Sequence, residues 1–385
     1  MICCTTLYTL EVDNPKVALD QILEQLNEKI KLKKNTIGIM QCHVEFAISG
    51  TAKYICENLP FETVGVTSAS QIVNNIAGEI IFTLFIISAD DVDFIIGLTD
   101  SLKDNVQEKI VSSYDKTKKN ITDELKLILI FPPFGICSGD NIVRAWTKCA
   151  PNVPIFGGAA ISDSVNYENS ETFYNGINYN DKMPFVLCYG NIKPRFLISS
   201  LSGETSLTTK AEITKAEGST IKEINNTNPK VFFDNLKFIG NPGYTPLMLD
   251  LVKREDHDGV PILRALIHFD ENGYATLIGD VEAGSVFTLL QLNSDDILAT
   301  LKTTLQEIKS IDDVNGILSF SCANRRVAFL SQNEPLKELE ETKEILNTDI
   351  PFMIGYIGGE YCPTSMKDGK PVNRFHNFTM VTLVL

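Results

Sequence analysis

The feature of this 385-residue sequence that most constrains its fold is a plan that occurs three times. Each copy holds a short apolar strand, a loop, a helix and a second apolar run that ends in or near glycine. The copies span residues 36–66, 127–158 and 316–355. A strand, helix and strand in this order predict a βαβ crossover, and therefore a partly parallel sheet. Ligands of such sheets bind outside the carboxyl ends of the strands, which points to the loops after Gln41, Phe131 and Phe320.

The segments around the three copies predict the rest of the fold. An amphipathic helix precedes each copy and an apolar strand follows each one. Between the second and third copies, short strands alternate with glycine-containing turns, at residues 213–224, 262–269, 274–278 and 285–292. We therefore expect an α/β protein with two domains of mixed β-sheet covered by helices, with repeated βαβ units and an antiparallel meander in the C-terminal domain.

A polar break at residues 201–206 is where we predict the domain boundary. It divides the sequence into an N-terminal domain, residues 1–205, and a C-terminal domain, residues 206–385. Two domains are the usual expectation for this length, because a single hydrophobic core seldom serves so long a chain. The break and a second polar loop, residues 253–259, are the expected sites of first cleavage by a protease.

Composition and charge limit the partners that this protein can have. The net charge of −15 argues against nucleic acids, which require a basic surface, and against anionic membranes. The most apolar stretch, residues 80–98, is interrupted by three aspartates and predicts no membrane insertion. The N-terminus lacks the pattern of a signal peptide, and nine cysteines without regular spacing fit a reducing compartment, so we expect a cytoplasmic location.

Motifs in the last third of the sequence resemble the C-terminal FIST domain. They are a Ser-Cys…Arg stretch after a strand, a Gly-Gly-Glu sequence and an Asn-x-Thr sequence, at residues 321–326, 358–360 and 377–379. The first half is similar to the N-terminal FIST domain at residues 64–68, 154–159 and 172–176. The resemblance covers nearly the whole chain, and it depends on the order and spacing of the motifs.

The resemblance implies a sensory protein of intracellular signal transduction that binds a small ligand and has no catalytic activity. The implied ligand is an amino acid or a small carboxylate. Members of this family often precede kinase, cyclase-type or chemotaxis output domains. Because none follows here, we expect the signal to pass to a separate protein of one of these kinds. Residues 131–137 depart from the acidic loop more common in the family, which leaves the ligand type open.

Seven residues are candidates for ligand contact. They are Gly158, Cys322, Arg325, Arg326, Glu360, Asn377 and Thr379. An arginine at the carboxyl end of a strand offers a planar fork for a carboxylate, and Glu360 suits an ammonium group. We therefore expect Arg325 and Glu360 to lie together and line a pocket for a zwitterion. The alternative is structural, a salt bridge from Arg325 to Glu360 or to an acidic residue of a helix.

Two other functions stay open at this point. Some members of the family bind haem and sense nitric oxide, and His43 is the candidate axial ligand for a haem. Otherwise we expect no cofactor and no metal, because the histidines do not pair at metal-ligand spacing. The second alternative is a thiol-dependent enzyme that uses Cys322, with His376 as its base.

Overall fold

The computed structural model describes residues 2–118, 123–164, 167–201, 210–236, 247–251, 260–291, 294–331, 333–346, 349–367 and 370–385. The predicted boundary beyond Leu201 and the predicted cleavage loop at residues 253–259 lie outside the described residues. Within the described ranges the chain forms three α/β modules and one inserted barrel. No helix in these ranges is both long enough and apolar enough to cross a membrane.

The helices and strands that the sequence predicts occur in the predicted order, with additional short elements between them. The first module contains β1 (Cys3–Thr9), α1 (Pro15–Lys29), β2 (Asn35–Cys42), α2 (Val44–Ile48), α3 (Thr51–Glu57), β3 (Glu62–Thr67), β4 (Ser70–Val73), β5 (Ile76–Gly78) and β6 (Phe82–Ala89). The second module contains β7 (Val92–Leu98), α4 (Val106–Thr117), β8 (Leu125–Ile130), α5 (Gly139–Cys149), β9 (Ile155–Gly158), β10 (Thr172–Tyr174), β11 (Ile177–Tyr179) and β12 (Pro184–Gly190).

The third module is interrupted by the barrel. It begins with β13 (Arg195–Ser199). The barrel then contains β14 (Ala211–Glu217), β15 (Thr220–Ile224), α6 (Pro229–Asn235), β16 (Leu247–Leu251), β17 (Ile262–Phe269), β18 (Ala275–Ile278) and β19 (Val286–Gln291). The module resumes with α7 (Ser294–Lys309), β20 (Ile317–Cys322), α8 (Ala323–Ser331), α9 (Lys337–Leu346), β21 (Phe352–Ile357), β22 (Glu360–Lys367), β23 (Lys370–His376) and β24 (Met380–Val384).

The three modules share one topology, which confirms the repeated βαβ plan. Each contains one parallel pair joined by helices, namely β2–β3, β8–β9 and β20–β21. The last strand of each module lies antiparallel beside the first strand of that pair. The first strand of each module then pairs with this last strand at the edge of the sheet. A right-handed twist and short connections make this arrangement the expected product of such a sequence.

Each module donates a hairpin to the sheet of another module. The β4–β5 hairpin of the first module pairs with β21 of the third, and β10–β11 of the second pairs with β3 of the first. The β22–β23 hairpin of the third module pairs with β9 of the second. The exchange is cyclic, so the three sheets interlock in a closed ring. The division at residue 205 stays a prediction, and strands from both sides of it meet in two of the sheets.

One apolar core lies between the inner faces of the three sheets. Phe85 of the first sheet, Phe156 of the second and Phe320 of the third belong to the same buried cluster. The rings of Phe156 and Phe320 are 5.4 Å apart, centre to centre. The outer face of each sheet packs against the helices of its own module in a separate cluster. The apolar faces of the helices are therefore buried within their own modules.

The inserted strands are antiparallel, as predicted for this part of the sequence. They close into a barrel with the strand order β14-β15-β18-β17-β16-β19. The last strand, β19, pairs with β14 and β16. The predicted order of a simple meander holds only from β17 to β18, because β19 crosses the barrel to close it. The barrel has its own apolar interior, which includes Phe233 and Phe287.

Candidate functional site

Two neighbouring cavities lie at the carboxyl ends of the parallel strands of the second and third modules. The polar cavity has a volume of about 270 Å³, and its wall includes Glu79, Asp163, Cys322, Asn324, Arg326 and Asn377. The apolar cavity has a volume of about 290 Å³, and its wall includes Pro133, Phe134, Ile267, Leu277, Tyr361 and Phe375. Both cavities lie where the sequence predicts a ligand site, at the loops that follow Phe131 and Phe320.

All three modules and the barrel contribute to the polar cavity. Glu79 follows the donated hairpin of the first module, and Asp163 follows β9 of the second. Arg326 lies on α8 of the third module, and Ala265 lies on β17 of the barrel. The N-terminal turn of α8 also forms part of the wall, and the N-terminal end of a helix favours anions. A ligand in this cavity would therefore contact every part of the molecule.

Arg326 places a cation in the wall of the polar cavity. Its Nη2 atom donates to Glu79 Oε1 at 2.8 Å, and its guanidinium lies 5.7 Å from the centre of the Tyr356 ring. The Arg326 side chain is only 11% exposed, whereas that of Glu79 is 55% exposed. The cation is thus held by the ring and faces a carboxylate that reaches solvent. A ligand carboxylate can take the place of Glu79 at this fork.

Asn377 places an unpaired donor in the same wall. Its Oδ1 atom accepts a hydrogen bond from the Ala265 backbone N–H at 3.3 Å, which fixes the orientation of the amide. The Nδ2 atom has no hydrogen-bond partner among the described residues, although Asn377 is only 2% exposed. An unpaired buried donor costs about 1–3 kcal/mol. A ligand oxygen that reaches this donor would satisfy it.

Glu360 and Thr379, which are not in the wall of the polar cavity, form a hydrogen-bonded group with Cys322 of that wall. The Glu360 carboxylate accepts from Thr379 Oγ1 at 2.7 Å and from the Thr379 backbone N–H at 3.3 Å. Burial raises the pKa of Glu360 to about 8, against the opposing effects of Thr379, Arg325 and Cys322. Burial, followed by the charge of Glu360, also raises the pKa of the Cys322 thiol. The thiol is therefore protonated at neutral pH, which does not favour a nucleophilic role.

Arg325 is outside the wall of the polar cavity and forms an ion pair with a helix. It is fully buried, and its Nη2 atom lies 3.5 Å from Glu338 Oε1 on α9. The Tyr356 hydroxyl donates to the other oxygen of Glu338. The sequence predicted that Arg325 and Glu360 line a pocket; in the structure neither residue belongs to the wall of the polar cavity. The salt bridge to a helical acidic residue is the alternative that the geometry supports, and a direct ligand contact by Arg325, Glu360 or Thr379 stays a prediction.

Comparison with protein families identifies the two halves of the chain. The sequence model of the FIST N domain matches residues 36–227, and that of the FIST C domain matches residues 234–363. The chain belongs to the FIST family. FIST domains are associated with signal transduction and with the sensing of small ligands. No curated protein matches this chain. The FIST N match extends through β15, so the boundary between the two FIST matches falls inside the barrel.

Two of the predicted site residues of this FIST protein, Gly158 and His43, have roles in the local structure. A Cβ atom at Gly158 would lie 2.8 Å from the Phe320 ring, so glycine at this position leaves room for that ring in the central aromatic cluster. His43 caps α2 through Nδ1, which accepts from the Glu45 backbone N–H, and its Nε2 lies 3.0 Å from Asp163 Oδ2. Because both ring nitrogens are engaged, His43 does not fit the role of a haem axial ligand. Within the described ranges, no cluster of three or more His, Cys, Asp or Glu could hold a metal.

The sequence did not reveal a buried ion pair that fixes the barrel beside the apolar cavity. Arg264 is 1% exposed, and its Nη2 atom lies 3.1 Å from both carboxylate oxygens of Asp140. Asp140 also accepts from the Asp280 backbone N–H at 2.7 Å, and Ser138 Oγ donates to Asp280 Oδ1 at the same distance. Asp140 and Arg264 are 124 positions apart in the sequence, so no local sequence pattern predicts that they pair.

Proposed function

We propose that this FIST protein is a non-catalytic sensor that binds an amino acid or a small carboxylate in the polar cavity. The observation that carries the proposal is the pair formed by Arg326 and Asn377, a guanidinium and an unpaired amide donor in one wall. A planar guanidinium binds a carboxylate through two parallel hydrogen bonds. The N-terminal turn of α8 adds to the preference for an anion.

The carboxylates in the wall favour an amino acid over a simple acid. Glu79 and Asp163 lie in the same cavity as Arg326, so an ammonium group has acidic partners there. A cavity of about 270 Å³ is small and suits a ligand of a few heavy atoms. A zwitterion that displaces Glu79 from Arg326 leaves Glu79 free to receive the ammonium group.

Ligand binding would produce a signal because several parts of the molecule form the wall of the polar cavity. Three modules and the barrel meet at the cavity, so a ligand that contacts all of them stabilises one relative arrangement. We propose that a separate partner, such as a kinase, a cyclase or a chemotaxis component, recognises that arrangement. A ligand shifts such an equilibrium only by the difference between its affinities for the two states.

The test is a thermal-shift screen of the twenty amino acids and common organic acids, with mass spectrometry of small molecules that co-purify with the protein. A ligand at one hundred times its Kd stabilises the native state by about 2.7 kcal/mol, which is readily seen as a higher Tm. Arg326→Gln and Asn377→Leu should remove the shift. Arg195→Gln, at an exposed position on β13, is the matched control and should retain it. A screen without any shift, and without any co-purifying molecule, would contradict the proposal.

A further inference from the structure

The polar and apolar cavities share part of their walls. Phe134, Ile278 and Gly358 belong to both. Small-molecule sites usually have volumes of roughly 300–1,000 Å³. Each cavity alone is slightly below that range, whereas the two together fall within it. The shared wall and the combined volume therefore suit a single ligand that occupies both cavities.

The two cavities differ in the charged residues of their walls. The wall of the polar cavity contains Glu79, Asp163 and Arg326. Among the described residues of the apolar cavity wall there is no Asp, Glu, Lys, Arg or His. Ile267, in that wall, is 51% exposed, so apolar surface of the cavity is open to solvent. An apolar group placed there removes this surface from water, which strengthens binding about threefold to fourfold for each methylene.

Phe134 contributes an aromatic ring to the wall that the two cavities share. The Phe134 ring packs edge-on against Tyr167 of the polar cavity, with 5.1 Å between the ring centres. Gly358 also lies against this ring, because a Cβ atom there would come within 2.5 Å of it. The ring can therefore lie against the end of β21 only because residue 358 is glycine. Phe134 is half-buried on the loop after β8, and side chains that reach solvent change rotamer readily.

We infer that the polar and apolar cavities form one two-part site, whose ligand carries a carboxylate head on an apolar chain or ring. The inference rests on the proposed function, because Arg326 and Asn377 are taken to bind the head. The apolar part passes beneath Phe134 and occupies the space beside Ile267 and Phe375. Phe134 then determines specificity, since it sets which apolar groups can pass.

The test measures affinity along a homologous series of straight-chain 2-amino acids and of straight-chain carboxylates, from two to ten carbons, by titration calorimetry on the full chain. Affinity should rise about threefold to fourfold per methylene once the chain passes Phe134, until the apolar cavity is full. Ser219→Phe, in the turn between β14 and β15, should fill the apolar cavity from the barrel side. This variant should retain the affinity for the short ligands and lose the gain with chain length.

Thr220→Phe is the matched control, because Thr220 is adjacent in sequence but is not in the wall of either cavity. It should show the same gain with chain length as the unaltered protein. Short ligands that bind without any gain with chain length would overturn the inference and leave the proposed function standing. A gain that survives Ser219→Phe would also overturn the inference. Failure of every member of both series to bind would overturn the inference and the proposed function together.

Discussion

Adjacent arginines at residues 325 and 326 have different surroundings. Arg325 is fully buried against Glu338, whereas Arg326 lies in the wall of the polar cavity and pairs with an exposed glutamate. Both follow β20 on α8, where successive residues point about 100° apart. The sequence analysis placed a cation at this strand end and expected Arg325 to line the pocket, whereas Arg326 lies in the wall of the polar cavity. The difference depends on which side of α8 faces α9, and the sequence alone does not show that.

The contrast between these arginines gives the first prediction. Arg325→Ala should destabilise the fold by about 3–5 kcal/mol, because it leaves Glu338 buried without its partner. Arg326→Ala should cost far less stability, because its partner Glu79 is more than half exposed. Urea unfolding of both variants measures the difference. Equal loss of stability in the two would show that the buried ion pair does not hold α8 against α9.

The second prediction concerns the pH dependence that Glu360 gives to stability. Its pKa rises from 4.5 to about 8 on folding because of burial, so the native state holds a proton that the unfolded chain releases between these values. Stability from this group is therefore present below about pH 4.5 and is lost as the pH rises towards 8. One pKa unit corresponds to about 1.4 kcal/mol, so the loss amounts to a few kcal/mol.

Glu360→Gln should remove that loss. Glutamine keeps an oxygen for the two hydrogen bonds from Thr379 and carries no charge. The variant should be more stable than the unaltered protein at pH 8, and the two should converge near pH 4.5. Other buried acids, such as Glu338, are common to both proteins and cancel in the comparison. Parallel plots of Tm against pH for the two proteins would rule out the raised pKa.

At the scale of elements, the sequence predicted the strands, helices and glycines of the repeated plan well. Gly65 and Gly157 occupy equivalent places in β3 and β9, where a Cβ atom would lie 1.9 Å from a carbonyl oxygen of the parallel neighbour. Gly355 has the equivalent place in β21, but there a side chain would collide with Gln41 from the first sheet. The periodicity of strands and the positions of glycines depend only on nearby residues, so a single sequence is enough to predict them.

Pairing between distant elements was not visible in the sequence. Asp140 on α5 and Arg264 on β17 meet only because the barrel folds back on the second module. Gly279, with φ of +96°, leaves room for the arginine, since a Cβ atom there would lie 2.6 Å from Arg264 Nε. The polar cavity depends on such distant pairing as well, because Glu79 and Asp163 reach it from other modules.

The third prediction concerns this ion pair between α5 and the barrel. Arg264→Met should destabilise the fold by about 3–5 kcal/mol, because Asp140 stays buried without its cation. The double variant Arg264→Met with Asp140→Leu should be more stable than the single one, since no unpaired charge remains. Arg144→Gln is the control, because Arg144 is 56% exposed, and it should cost less than about 1 kcal/mol. Chemical denaturation of the three variants tests this, and a double variant no better than the single one would contradict it.

At the scale of the whole molecule, the cyclic exchange of hairpins determines how the protein can unfold. Removal of the third module takes the β22–β23 hairpin from the second sheet and leaves β9 as an open edge. It also uncovers the inner faces of the other two sheets, which share one apolar cluster with Phe320 and Leu383. The exchange joins strands that are far apart in the sequence, and neither chain length nor a polar break, on which the predicted division rests, could reveal it.

The last prediction is that neither sequence-defined half folds alone. Residues 1–205 and residues 206–385, produced separately, should each lack a cooperative thermal transition and dispersed amide resonances. Each half lacks strands that complete its sheets and one wall of the shared core. The halves should form a folded complex when they are produced together, because every missing strand is then supplied. In the intact chain the three modules should unfold in a single calorimetric transition, with an apparent enthalpy that matches the measured heat. A fragment of residues 1–205 that unfolds cooperatively by itself would mean that the exchanged hairpins do not bind the modules into one unit.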